Sequence, residues 1–523
     1  MGILRSTFSV GSLTLVSRVM GFMRDLVIAR VFGASVGTDA FVVAFRIPNL
    51  LRRFVGEGSF AMAFVPVLAR SRERDDRAEL KSFVDDMAGT LAAVLTLLTA
   101  TGIFAAPWLV RVFAPGWAAD SEATDLASRL LRLTFPYIFF IALTAFTGSI
   151  LNTWRRFAVP ALSPVLLNIA LIGAALLLAP RLELPIMALG WGVLMAGIVQ
   201  LAFQLPILNA LGLLPRPRWG WRNSRVRRVL VLMVPTLVGA SVAQLNVLVD
   251  TMVASFLGDR VVTWLFFADR LVEFPMGVFA IALSTVILPA LSARVARNDT
   301  AGFRAELDQA IRLAVVVAMP AALGLLILAR PILMSLFGYG AFSGHDVSMS
   351  AVALSGYALA LPAYMAIKVL APGFYAQQDT RTPVRFAIIA LLSNALLNVA
   401  FVLFLKRYTS IPPHAGLALA SAVSASINAG LLYWGLGVKL GFARQPGWGK
   451  LSLRVLVACI TLAGFLLWSS GPLSIAMQTP ALARVGQLVW LVGGGAVVYV
   501  LTLLCVGWRP SQHRIRATGG APL

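Results

Sequence analysis

Ser17 to Glu57, SRVMGFMRDLVIARVFGASVGTDAFVVAFRIPNLLRRFVGE, reads as two apolar spans joined at Gly33 to Gly37, with Arg18, Arg24, Asp25, Asp39, Arg46, Arg52, Arg53 and Glu57 inside or beside them. Charges are costly in hydrocarbon and mark pathways or sites when they occur there. The reading of this stretch therefore turns on whether the rest of the chain crosses a membrane.

Composition answers that. The 523 residues are 59% hydrophobic and only 13% charged, with mean hydropathy +0.85. Apolar runs of the ~20 residues needed to cross a hydrocarbon core recur from end to end, with no long polar domain between them. The class is an all-α polytopic membrane protein. Fourteen transmembrane helices are expected, at about 8–32, 39–67, 82–112, 124–151, 158–179, 185–209, 229–257, 261–290, 308–334, 348–375, 383–405, 415–437, 451–470 and 484–507.

The formal net charge of +22 would suggest nucleic acid in a soluble chain, but its placement excludes that. Every second connection is basic: Arg70 to Lys81, Arg155 and Arg156, Arg216 to Arg228, Arg294 to Arg304, Arg381 and Arg385, Lys439 to Lys450, and Arg509 to Arg516. The connections between them carry little positive charge, the positive-inside pattern, which puts both termini in the cytoplasm. Lys406 and Arg407 are exceptions on the outer side. The basic loops also suit anionic membrane lipids.

The first span carries one basic residue before it and no small-residue cleavage site, so it reads as a retained helix. Cys459 and Cys505 lie in the last two spans as small apolar residues, and the three histidines are too scattered for a metal site. No P-loop, HExxH or nucleophile elbow is present, which argues against an enzyme and against ATP hydrolysis within the chain.

The chain repeats itself. Pro107 and Pro331, Phe113 and Phe337, and Gly116 and Gly340 are each 224 residues apart, and Gly33/Gly258 and Thr38/Thr263 are each 225 apart. Six spans per copy return the chain to its starting side, so the two repeats are parallel. The expected organisation is an N-lobe at 1–222, a C-lobe at 223–445, and two additional C-terminal helices with a tail at 446–523. Parallel-repeat transporters carry substrate between their halves near mid-membrane.

Helical spacing then sorts the charges. Asp39, Arg46 and Arg53 are seven apart and share a face with Asn49, with Arg52 beside it. Arg18 and Asp25 share a face of the first span, and Arg24 adjoins it. Asp269, Arg270 and Glu273 lie on one side of the eighth span before Pro275, and Lys368 lies in the tenth. Interhelical ion pairs would account for one or two such charges; this many arginines point to a site. The planar fork of arginine suits bidentate phosphate contacts, so the substrate is expected to be a phosphorylated anion.

The long stretch from Ser17, together with FFADRLVEFPMGV, KVLAPGFYAQQDTRTPV and LNTWRRFAVPALSP, resembles the MurJ (MviN) lipid II flippases over essentially the full length. The resemblance implies the fold of the multidrug/oligosaccharidyl-lipid/polysaccharide exporter superfamily, with the last two helices forming a groove for a lipid tail. It implies transport of undecaprenyl-pyrophosphate-linked disaccharide pentapeptide to the outer leaflet of the bacterial cytoplasmic membrane, by a monomer associated with the cell-wall machinery. By position, Arg18, Arg24, Asp39, Arg52, Arg53 and Arg270 match polar cavity residues of that family, and Asp25, Asp269, Glu273 and Lys368 fall in the same motifs. Arg24 and Arg270 are assigned to the pyrophosphate. Gly21, Pro48 and Pro275 are hinge candidates.

No cofactor is expected. Energy would come from membrane potential acting on the arginines or from Na⁺ held by Asp250, Asn394 and Asn398, whose alternative role is interhelical hydrogen bonding. An exporter of another polyprenyl-linked saccharide shares the pyrophosphate chemistry. A drug or cation antiporter would favour acids and aromatics over arginines, and a membrane glycosyltransferase would need a larger outer loop.

Overall fold

The computed structural model describes residues 2–56, 59–74, 76–118, 121–470 and 479–508; the side chains of 2–11, 53–56, 59, 234–244, 278, 280–282 and 284–285 lie outside that description. Among the described residues there is no strand. The chain runs α1 Gly2–Phe32, α2 Val36–Gly56, α3 Ser59–Arg74, α4 Arg77–Phe104, α5 Ala106–Phe113, α6 Glu122–Thr134, α7 Tyr137–Thr153, α8 Ala158–Gly173 and α9 Met187–Ala210. It continues with α10 Ser224–Ala254, α11 Val261–Pro275, α12 Ile281–Ala296, α13 Thr300–Ile327, α14 Ala329–Phe337, α15 Gly344–Tyr375, α16 Arg381–Tyr408, α17 Ala415–Leu440, α18 Trp448–Ser470 and α19 Ala481–Cys505.

Several expected single spans are broken. The span expected at 82–112 is α4 and α5, because Pro107 enters the first turn of α5 without an N–H to continue the ladder. Pro136 separates α6 from α7 in the same way. At 261–290, Pro275 ends α11 and the five-residue π-helical turn Met276–Ala280 joins it to α12, a common accommodation of a lost i→i−4 bond.

Ten helical segments among the described residues are long and apolar enough to cross a membrane. The expected spans at 8–32, 39–67, 229–257 and 261–290 are outside that set, and they hold all but three of the candidate residues. Lys406 and Arg407 occupy the last turn of α16, where cations meet the carbonyl end of the helix dipole, a local reason for basic residues at that end.

By packing, the chain divides into Met1–Thr263 with Gly340–Phe342, and Trp264–Tyr339 with Ser343–Leu523. In the first unit α1 packs on α8, α2 on α6 and α7, α7 on α9, and α10 on α2 and α3. Its core is aromatic: the Phe64 ring lies 5.1 Å from Phe60 and 5.2 Å from Phe146. Thr147 donates to Gln204 at 2.7 Å and Gln204 to Ser163 at 3.0 Å, joining α7, α9 and α8. Such bonds hold helices together where lipid offers no hydrophobic drive. Asp76 caps α4, and the buried Asp85 accepts from Arg216 N at 2.7 Å, fixing the connection after α9.

In the second unit α15 packs on α13 and α17, α16 on α17, and α18 on α13 and α19. Tyr499 of α19 donates to Val316 O of α13 at 2.7 Å, so the last two helices dock on this unit. Asp299 caps α13, and the buried Asp308 accepts from Trp448 Nε1 at 2.7 Å and Gln445 N at 3.3 Å, fixing the connection after α17.

Candidate functional site

In the first unit the charged face of α1 is anchored to α8. Arg24 donates to Asp25 Oδ1 through Nε at 2.9 Å and Nη2 at 2.6 Å, and through Nη1 to Asn168 Oδ1 at 3.1 Å. Asn168 in turn donates to Ser17 O at 3.2 Å. Neighbouring helical residues do not face each other; the long arginine folds back, and a single oxygen receives both arms of the fork. The pair is almost dry, with side-chain exposures of 12% for Arg24 and 4% for Asp25. A Cβ on Gly21 would meet Asn168 only at 3.6 Å, so this glycine is not required by close packing.

Arg18 is exposed on α1 and has no polar partner among the described residues. Arg52 donates through Nε to Asn49 Oδ1 at 2.9 Å. Arg46 donates to the Thr251 hydroxyl of α10. The side chain of Arg53 and the whole of Glu57 lie outside the described residues.

Asp39 does something the helical face did not suggest. It is 1% exposed, and its carboxylate accepts from Arg260 N at 2.6 Å, Thr263 N at 2.8 Å and Thr263 Oγ1 at 2.5 Å. These donors belong to the first turn of α11 and the residue before it, so Asp39 caps that helix from across the sequence. The turn entering α11 needs the cap: Gly258 and Arg260 have φ of 104° and 71°, and the backbone has left the helical region before its first amides point inward. At the corresponding turn after α1, Gly33 adopts φ 61°, and a Cβ there would lie 2.3 Å from Ala341 O.

In the second unit Arg270 donates to Glu273 Oε2 at 2.7 Å and its guanidinium lies 4.9 Å from the Phe266 ring centroid. Both partners are partly open, at 28% and 48%. Asp269 is exposed on the same helix; Lys368 is exposed on α15 and has no polar partner among the described residues. Asp250 belongs to the first unit. Asn394 and Asn398 belong to the second and are buried, with Ser424 of α17 donating to Asn394 at 3.3 Å. No group of three or more histidine, cysteine or acidic side chains suited to a metal occurs among the described residues.

The structure thus joins Arg24 with Asp25, Arg52 with Asn49, and Arg270 with Glu273, and removes Asp39 to a helix terminus. Sequence reading missed Asn168, Thr251 and Thr263. Asn168 carried one signal, a lone amide in the otherwise apolar run LSPVLLNIALIG.

The family model described as lipid II flippase MurJ matches residues 28–479. The chain is 41% identical over 516 residues to a probable lipid II flippase MurJ of Vibrio cholerae serotype O1, covering 97% of each chain. It is 40% identical over 522 residues to the lipid II flippase MurJ of Burkholderia cenocepacia, covering 99% of this chain and 100% of that one. Among solved structures it is similar to a lipid II flippase MurJ in an inward closed conformation, with TM-score 0.76, 26% identity, and 95% and 97% coverage. An inward-facing multidrug resistance MATE transporter shares the fold alone, with TM-score 0.65 at 14% identity over 83% of this chain and 98% of that one. This all-helical, multi-pass inner-membrane chain is a member of the lipid II flippase MurJ family, a family of transporters.

Proposed function

We propose that this protein moves lipid II from the cytoplasmic to the outer leaflet for peptidoglycan synthesis, by alternating access and without catalysing a reaction. The observation that carries the substrate class is the match to the flippase family over residues 28–479. What this chain adds is the chemistry of its charged helices. Arg24 and Arg270 are each held in place by an acid on their own helix, and such a pair presents remaining N–H groups to a pyrophosphate without a search through rotamers. Arg18, Arg52, Arg53 and Lys368 supply further positive charge, and Asp25, Asp269 and Glu273 orient arginines or meet sugar and peptide groups. Asp39 acts by holding the start of α11, which carries Asp269, Arg270 and Glu273.

The layout we propose is fourteen spans, as two parallel six-helix repeats followed by two further helices, with both termini in the cytoplasm and the chain acting as a monomer. Local geometry supports the duplication. The capping residues Asp76 and Asp299 are 223 apart, as are the buried acids Asp85 and Asp308, each of which binds the connection after its sixth span. The caps Ser121 and Ser343 are 222 apart.

Sodium or membrane potential would drive the cycle. The test is transport in vesicles: labelled lipid II is flipped by the wild type and not by Arg270→Ala, with sodium and potential varied independently. Native mass spectrometry with lipid II and another undecaprenyl-linked sugar tests specificity. Equal binding of both, or full activity of Arg270→Ala, would overturn the assignment.

A further inference from the structure

The connection between α9 and α10, Leu211 to Asn223, is clamped to α4 along its backbone. Arg216 N donates to Asp85 Oδ1 at 2.7 Å, Arg218 N to Asp85 O at 3.1 Å, Gly220 N to Thr90 Oγ1 at 3.0 Å, and Asn223 Nδ2 to Asp86 Oδ2 at 2.9 Å. The approach is so close that a Cβ on Gly89 would lie 2.1 Å from Arg218 O, and one on Gly220 2.3 Å from Asp86 Cβ. Asp85 and Asp86 of α4 are both used in this clamp, with Lys81 also on Asp85.

What the clamp holds outward is unusual. Trp219 and Trp221 stack with centroids 6.1 Å apart and planes 11° apart, yet they are 65% and 49% exposed. Arg216, Arg218, Arg222, Arg227 and Arg228 are exposed, and none of their guanidinium groups has an ion-pair or hydrogen-bond partner among the described residues. Arg225, by contrast, donates to Ser71 and lies over Phe83. The first turn of α10 has no acid, so the arginines in and just before that turn lie near the positive end of a helix dipole.

In the second unit a tryptophan also stands at the end of the connection after α17, but Trp448, the first residue of α18, is spent on Asp308, with Arg312 and Arg444 over its ring. Of these two connections, the first is the one whose tryptophans are exposed among the described residues. Beside them is an open cleft of ≈ 550 Å³ lined by Trp221, Arg222, Arg227, Leu230 and Val231. It meets a second of ≈ 350 Å³ that shares Arg227 and Val231 and adds Ser224, Arg228 and Leu232.

We infer that this cleft binds the headgroup of an anionic phospholipid of the surrounding bilayer. Arg222, Arg227 and Arg228 hold the phosphate, Trp221 lies at the level of the headgroup, and the acyl chains run along Val231 and Leu232. The occupant must be both anionic and apolar, because one wall of the cleft is guanidinium and the other is exposed aliphatic surface at the start of a membrane span. Tryptophan at the interface and arginine at an anionic leaflet are the two features that suit such a lipid. A soluble phosphate would leave the aliphatic wall uncovered. The inference rests on the chain spanning a membrane, not on which lipid it transports.

The test uses the full chain in detergent, titrated with phosphatidylglycerol or phosphatidylcholine and read by native mass spectrometry. Each arginine near an anionic surface is worth ~5-fold in binding, so Arg222→Gln/Arg227→Gln/Arg228→Gln should bind phosphatidylglycerol ~100-fold more weakly while phosphatidylcholine binding is unchanged. The triple lysine variant should stay within ~5-fold of wild type, since surface attraction needs charge rather than a fork. Trp221→Ala keeps every charge and should still lower phosphatidylglycerol affinity, which gives a reading independent of how the glutamine variant folds. Three results would each overturn the inference: wild-type phosphatidylglycerol binding by the triple glutamine variant, displacement of the lipid by millimolar inorganic phosphate, or a parallel loss of lipid II binding.

Discussion

Replacing Arg24 separates what a charged residue does for the fold from what it does for transport. In Arg24→Ala, Asp25 Oδ1 loses both arms of the fork, and Asn168 loses one donor. With the pair nearly dry, a charge-assisted contact is worth ~2–3 kcal/mol and the amide bond ~1 kcal/mol. The variant should therefore be ~3–4 kcal/mol less stable, measured by reversible unfolding in mixed detergent micelles. Arg24→Met combined with Asp25→Leu replaces the pair with apolar groups of similar size, and should return to within ~1 kcal/mol of wild type, because removing both charges also removes their desolvation cost. If Arg24 also holds the pyrophosphate, the repaired variant stays inactive when it is the sole flippase of a depleted strain. Wild-type growth of that strain would refute the functional role. A loss below ~1 kcal/mol in Arg24→Ala would refute the packing argument.

Arg270→Ala should behave in the opposite way, changing stability by no more than ~1 kcal/mol because its pair with Glu273 is open to solvent, while lipid II transport falls to background in vesicles. Asp39→Ala strands two backbone amides and a hydroxyl at the start of α11 and should cost ~3–5 kcal/mol, against ~1 kcal/mol for Thr263→Val, by the same unfolding measurement. Lys439 and then Thr382, which both donate to Asp379 in the connection before α16, hold its carboxyl below the ordinary carboxylate range. The contribution is therefore complete above the usual aspartate pKa and is lost as pH falls through and below it. Unfolding midpoints measured from pH 6 downward should show this slope in the wild type and a shallower one in Lys439→Met.

The contrast between Arg270 and Arg24 shows how far sequence reading reaches. Both stood beside acids in apolar helices, and nothing in spacing distinguished a dry, triply bonded guanidinium from a half-open one. The difference comes from α8, which brings Asn168 against α1 and dries the Arg24 pair, whereas the Arg270–Glu273 pair stays open to solvent. The breaks between α4 and α5 and between α6 and α7 were legible in principle, since Pro107 and Pro136 remove N–H groups wherever they stand. Hydropathy averages over them and reports one span.

What the sequence determined alone is what depends on composition and order. A bilayer admits only segments that satisfy their own backbone, so apolar length and loop charge mark a multi-pass helical chain, and order exposes the repeated landmarks 224 and 225 residues apart. The tertiary structure decided which polar atoms meet. Asp39 lies seven residues from Arg46 on one helical face, yet its oxygens face the amides of Arg260 and Thr263. Helical spacing describes neighbours within a turn or two, whereas a carboxylate goes to the strongest unsatisfied donors that packing brings to it, and those lay 221 and 224 residues away.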